Sequence, residues 1–137
     1  MSIETYSRES LGRLRYERGT QGPRLVLEVD PGIAKVTRWL IPAHYHVQPQ
    51  MYPSHITVIR HERPSREFWS KYDRENIKFW YDPWVRSDET YWWLNVRCPR
   101  LSEIRMELGL KPTRFTPQDA AGGFHMTVGN TKKWNER

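Results

Sequence analysis

The sequence predicts an α+β domain, and three observations point there. First, two four-residue runs share one pattern, His55-Ile56-Thr57-Val58 and His125-Met126-Thr127-Val128. Side chains alternate faces along a strand, so each run presents its histidine and threonine on one side and buries its apolar pair on the other. Second, two other stretches, from Pro31 to about Leu40 and from Leu101 to Leu108, carry helix start and stop signals rather than strand alternation. Third, such stretches alternate along only 137 residues, a length that makes residues 1–137 a single domain able to bury one core.

Taken in chain order, residues 1–22 are polar, carry Gly12, Gly19 and Gly22, and offer only Leu11, Leu14 and Tyr16 as apolar anchors; a loosely packed N-terminal arm is expected. From Arg24 to Val29 the residues alternate, with Leu25, Leu27 and Val29 on one face and Arg24, Val26 and Glu28 on the other, which is a strand. Asp30-Pro31 then supplies an N-cap and a first-turn proline for a helix that ends at Pro42. Residues 42–53, with three prolines and little periodicity, read as a loop feeding the first motif strand, Ser54 to Arg60. Ser65 to about Asn76 is expected to be helical, with Phe68, Trp69 and Tyr72 turned to the core.

Ile77–Val85 and Thr90–Cys98 flank Arg86-Ser87-Asp88-Glu89 as an expected hairpin. In its second arm Trp92, Leu94, Val96 and Cys98 share one face, and Tyr91, Trp93, Asn95 and Arg97 the other. Leu101–Leu108 is a helix stopped by Gly109. Thr113–Thr116 reads as a short strand, Gly122-Gly123 as a turn, and Phe124–Gly129 as the second motif strand. The order suits strands lining a central groove with helices outside.

Composition narrows the chemistry. The net charge of +6 and the isoelectric point near 9.7 create a field that attracts polyanions. The apolar fraction is 37%, but 7 Trp, 7 Tyr and 4 Phe supply large area per residue, which predicts an aromatic-rich core. Cys98 is the only cysteine, so no intrachain disulfide forms, and its place on the apolar side of a strand predicts a buried, inert thiol. The N-terminal residues lack a basic segment followed by an apolar stretch, and no run approaches membrane-spanning length; a cytoplasmic protein without membrane partners is expected.

Histidine titrates near neutrality, so of two imidazoles flanking one phosphorus, one takes a proton while the other gives one. A threonine two residues on points the same way and donates a hydrogen bond to a non-bridging phosphate oxygen. His55, Thr57, His125 and Thr127 are therefore the candidate catalytic residues, and nothing in the set requires a metal or cofactor. Which histidine is base and which acid stays open. Tyr45, Tyr91, Trp93 and Arg97 are candidate substrate contacts, by base stacking and phosphate pairing, with Tyr52 an alternative to Tyr45 on the loop. His44, His46, His55 and His61 lie close in sequence, but no cysteine or carboxylate motif accompanies them and the loop is broken by proline, which argues against a metal site. Walker-type and Rossmann-type phosphate loops and a serine-hydrolase elbow are absent.

The paired His-x-Thr motifs resemble those of the 2H phosphoesterases, the LigT-like superfamily named for two His-x-Thr/Ser motifs in one chain. The resemblance implies a two-lobed fold with antiparallel strands lining a central groove. Length and the spacing from His55 to His125 look most like the compact phage members, some of which are anti-CBASS nucleases that destroy cyclic di- and trinucleotide signals of bacterial immunity. The implied activity is metal-independent cleavage of 3′-5′ bonds in such signals, within a host cytoplasm. A 2′,3′-cyclic phosphodiesterase of RNA ends is the alternative enzyme, and a non-catalytic protein that sequesters nucleotides or binds RNA is the alternative of another class.

Overall fold

The structure, a computed structural model, describes residues 5–19, 21–114 and 116–132. Its strands are β1 (Arg8–Gly19), β2 (Gly22–Glu28), β3 (His55–Ile59), β4 (Asn76–Tyr81), β5 (Arg86–Ser87), β6 (Tyr91–Arg97) and β7 (Phe124–Asn130), with helices α1 (Pro31–Leu40) and α2 (Pro99–Glu107). Single 3₁₀ turns occupy Ala43–Tyr45 and Pro117–Asp119. The fold is α+β, with one antiparallel sheet of order β4-β1-β2-β3-β7-β6-β5. Strand β4 also pairs with β6, through Trp80–Arg97 and Tyr81–Val96, so the sheet closes on itself.

One element order occurs twice. Antiparallel neighbours β1 and β2 lead through α1 to β3, which pairs back onto β2; β4 and β6 lead through α2 to β7, which pairs back onto β6. The helices exchange partners, α1 packing on β7 and α2 on β3. The two His-x-Thr strands end up adjacent, in the middle of the sheet.

Local chemistry accounts for both helices. Asp30 Oδ1 accepts a hydrogen bond from Gly32 N at 2.8 Å and Pro31 opens α1, while α2 starts on Pro99 and is followed by Gly109 at φ +80°. The core lies on the face of the sheet that carries Leu14, Leu25, Leu27, Ile56, Val58, Phe79, Val96 and Met126, with Leu101, Ile104 and Leu108 of the α2 region against it. Ile56, Val58, Met126 and Val128 are fully buried while His55, Thr57, His125 and Thr127 are not, which is the alternation read from the motifs. Cys98 is buried, and burial pushes its thiol pKa up. Among the described residues no helix is long and apolar enough to cross a membrane.

Several expectations are corrected. From Arg8 onward the expected arm is strand β1, paired with β2 on one side and β4 on the other. Gly12, which made the segment look loose, is required there: a Cβ would lie 2.5 Å from the Leu27 side chain and 2.8 Å from the Glu28 carbonyl. The helix expected over Ser65–Asn76 is a succession of turns, because Ser70 and Arg74 adopt positive φ, yet Trp69 and Tyr72 do pack on the core. Most of β4 pairs with β1, so the expected hairpin survives only where β4 and β6 meet and in the short β5–β6 pairing. Thr113, Arg114 and Thr116 form no strand, and Phe115 lies outside the described residues.

The fully buried core is also aliphatic rather than aromatic-rich. Phe79 and Phe124 are its buried rings, whereas the indoles and phenols of the described residues sit at its margin or in solvent. Each has one polar atom to satisfy, which favours the rim over the interior.

Candidate active site

A single backbone pairing, Ile56 with Met126, joins the motif strands. The antiparallel register it sets puts His55 opposite Thr127 and Thr57 opposite His125, all four on the face away from the core. The histidines are diagonal neighbours, a relation that separates two residues by about 7–8 Å in a sheet and their Cβ atoms by somewhat less.

All four side chains line an open groove of ≈ 610 Å³, together with Arg24, Arg60, Arg114 and Lys132 and, among the described residues, no aspartate or glutamate. Strand direction sorts the remaining walls. Gln50, Tyr52 and Pro53 precede β3 and Lys132 follows β7, so they flank the His55–Thr127 level, as does Tyr91, which pairs with Asn130. Arg60 and His61 follow β3 and Arg114 and Thr116 precede β7, so they flank the Thr57–His125 level.

The two imidazoles are held differently. His55 Nδ1 donates to the Pro53 carbonyl at 2.8 Å, and Arg24 Nη2 stands 3.3 Å from Nε2. A guanidinium only donates, so Nε2 carries the lone pair and the ring is neutral. Burial lowers the His55 pKa below the ordinary histidine value, and the charges of Arg24 and His125 act in the same direction, opposed by the Pro53 hydrogen bond. Arg24 itself is anchored by Glu17, with Nη1 at 3.2 Å from Oε2.

His125 Nδ1 donates instead to Asp119 Oδ1, at 2.6 Å. Asp119 is 1% exposed; Thr116 Oγ1 donates to its other oxygen, and its main-chain carbonyl receives Gly123 N–H at 2.8 Å. The 3₁₀ turn Pro117–Asp119 packs on both β6 and β7, which delivers this carboxylate beneath the imidazole. Gly122 permits the approach: a Cβ there would fall 2.4 Å from the Val96 carbonyl oxygen. His125 Nε2 is left as the ring nitrogen facing a ligand.

Of the candidate substrate contacts, Tyr91 lines the groove, with Lys132 Nζ 4.8 Å from its ring centroid. Trp93 stands opposite Thr127, but it is half-buried, does not line the groove, and donates from Nε1 to Asn95 Oδ1 at 3.2 Å. Tyr45 is not at the site. The 3₁₀ turn carries it onto Trp92, with centroids 5.1 Å apart, and Tyr52 from the same loop lines the groove in its place. Arg97 is not there either: it lies one residue past the last β6–β7 pair, Val96–Phe124, and opposite Trp80 of β4. His44 stacks on Tyr45, away from His55.

Arg24, Asp119 and Arg114 were missed as site residues. Arg24 was legible as lying on the polar face of its strand, but nothing local marks which strand it adjoins. Asp119 sits six residues before His125, a spacing with no periodic meaning because a turn intervenes. Comparison with family models, with curated proteins and with solved structures finds no match for this chain.

Proposed function

We propose that the protein is a metal-independent phosphodiesterase of the two-lobed 2H type, acting on an RNA-like diester, with cyclic di- and trinucleotide signals as the substrates its groove suits best. The observation that carries this reading is the cross-register of the two motifs, which brings two differently held imidazoles and two hydroxyls to the wall of one groove. Among the described residues the groove wall adds four cationic side chains and no carboxylate, which suits a polyanion. Its volume of ≈ 610 Å³ is within the range of small-ligand sites.

The hydrogen bonds divide the labour. His55 is the base: its Nε2 lone pair takes the proton of the nucleophile, a substrate 2′-hydroxyl or a water, as the new O–P bond forms. His125 is the acid: its Nε2–H passes to the leaving oxygen as that O–P bond breaks, while Asp119 holds the ring in place through Nδ1–H. Thr57 and Thr127 donate to the non-bridging oxygens, where negative charge is held.

Incubating the protein in chelator with cyclic di- and trinucleotides and with RNA ending in a 2′,3′-cyclic phosphate, followed by mass identification of products, tests the proposal. Cleavage of the cyclic oligonucleotides, abolished in His55→Ala and His125→Ala, is expected. Cleavage of the RNA end alone moves the substrate to that class. Ligand recovered intact from every reaction overturns catalysis in favour of a sequestering protein.

A further inference from the structure

Where β3 runs out, two arginines stand on the groove wall while the nearby carboxylates are engaged elsewhere. Arg60 and His61 follow β3, Arg114 lies on the loop after α2, and all three line the groove beyond the Thr57–His125 level. Glu62 accepts two hydrogen bonds from Arg105, each 2.8 Å. Asp119 holds His125 and Thr116 and comes no nearer than 4.0 Å to Arg114. Among the described residues no ion pair or side-chain hydrogen bond engages Arg60, which is exposed.

The main-chain segments that bear the two arginines are also tied together. Arg105, 1% exposed, donates to the carbonyls of Val58 at 2.6 Å, Lys111 at 2.9 Å and Thr113 at 3.3 Å. It thereby ties the segment that bears Arg60 to the segment that bears Arg114. Burial depresses the Arg114 pKa, with Asp119 and Glu62 opposing and the Arg105 and Arg60 charges reinforcing, so these cations feel one another. Like charges held together on a wall whose described residues include no free carboxylate are stabilised by an anion between them.

We infer that Arg60, His61 and Arg114 form a second phosphate subsite, so that the groove grips its ligand at two phosphates, one between the histidines and one at this arginine pair. The first of these positions rests on the phosphodiesterase reading; the second rests on the arginine cluster. A nucleoside 2′,3′-cyclic monophosphate has nothing to place in the second position. A cyclic dinucleotide or a longer oligonucleotide does.

Calorimetric binding of two probes tests this: the phosphorothioate analogue of cyclic di-adenosine monophosphate, with two internucleotide phosphates, and linear phosphorothioate ApA, with one. The cyclic probe is expected to bind the wild-type protein about tenfold tighter or more, the scale of one charge-assisted hydrogen bond. R60Q and R114Q are each expected to erase most of that preference while leaving the linear probe within about twofold. K35Q, a change on α1 away from the groove, controls for overall charge and leaves the preference intact. Arg60 is exposed, so R60Q keeps the test decisive if R114Q fails to fold. No preference in the wild type, or a preference that survives R60Q, overturns the subsite. Turnover without the preference leaves the phosphodiesterase standing and removes the subsite; the preference without turnover does the reverse.

Discussion

His125 and Asp119 are joined by a 2.6 Å hydrogen bond from Nδ1 to a buried carboxylate oxygen. This bond fixes the tautomer and the ring plane and leaves Nε2 as the nitrogen free to meet a ligand. Asp119→Asn keeps an acceptor oxygen but removes the charge. The expected result is a loss in kcat of about a hundredfold with KM little changed, read from steady-state kinetics on whichever substrate the panel identifies, with circular dichroism to check folding. An equal loss in both parameters would assign Asp119 to structure instead.

Arg24 acts on the other ring. Its guanidinium, 3.3 Å from His55 Nε2, helps hold that histidine neutral, after burial and in concert with the His125 charge. The acid limb of the kcat/KM profile is therefore expected below the ordinary histidine value of 6.5. Arg24→Gln should shift that limb to higher pH, because removing a nearby positive charge makes protonation easier. A limb that stays in place would separate Arg24 from His55.

The same depressed pKa has a consequence for stability. The unfolded chain has the higher histidine pKa, so below about 6.5 it binds more protons than the folded protein, and stability falls as pH drops through the window between the two values. Above that window the dependence vanishes. Urea midpoints measured on both sides of it, in wild type and His55→Asn, should show a smaller acid loss in the variant.

Arg105 is expected to matter more for folding than for chemistry. Replacing it by methionine removes two hydrogen bonds to Glu62 and three to main-chain carbonyls in a position that is 1% exposed. A cost of about 3 kcal/mol, the lower range for breaking a buried pair, should appear in denaturant unfolding.

Gly122 offers a test of how tightly the second motif is set. A methyl group there overlaps the Val96 carbonyl, so Gly122→Ala must displace either β6 or the turn that carries Asp119. Activity should fall by about tenfold or more as His125 moves off line, while unfolding shows a loss of about 1–3 kcal/mol.

Much of this arrangement was legible in the residues. Alternation placed Ile56, Val58, Met126 and Val128 inside and the polar pairs outside, and Asp30-Pro31 and Gly109 marked where α1 begins and where the chain leaves α2. Both signals are local, and local physics decided them. The strand at Arg8–Gly19 was hidden because its in-facing positions include a glycine, whose role is to let Leu27 come close, a fact that belongs to β2. The turns at Ser70 and Arg74 were hidden because helical spacing of Phe68, Trp69 and Tyr72 reports burial, not backbone angle. Tyr45 and Arg97 were misplaced because their neighbours are set by tertiary structure: a 3₁₀ turn puts Tyr45 against Trp92, and Arg97 lies opposite Trp80 of β4. Asp119 required knowing that a 3₁₀ turn folds back under β7.

The Ile56–Met126 bridge makes each motif borrow from the other, since the hydroxyl facing either imidazole comes from the opposite end of the chain. Neither half holds a complete couple. On the phosphodiesterase reading, a chain in which β7 has not yet docked beside β3 is therefore expected to be inert rather than feebly active.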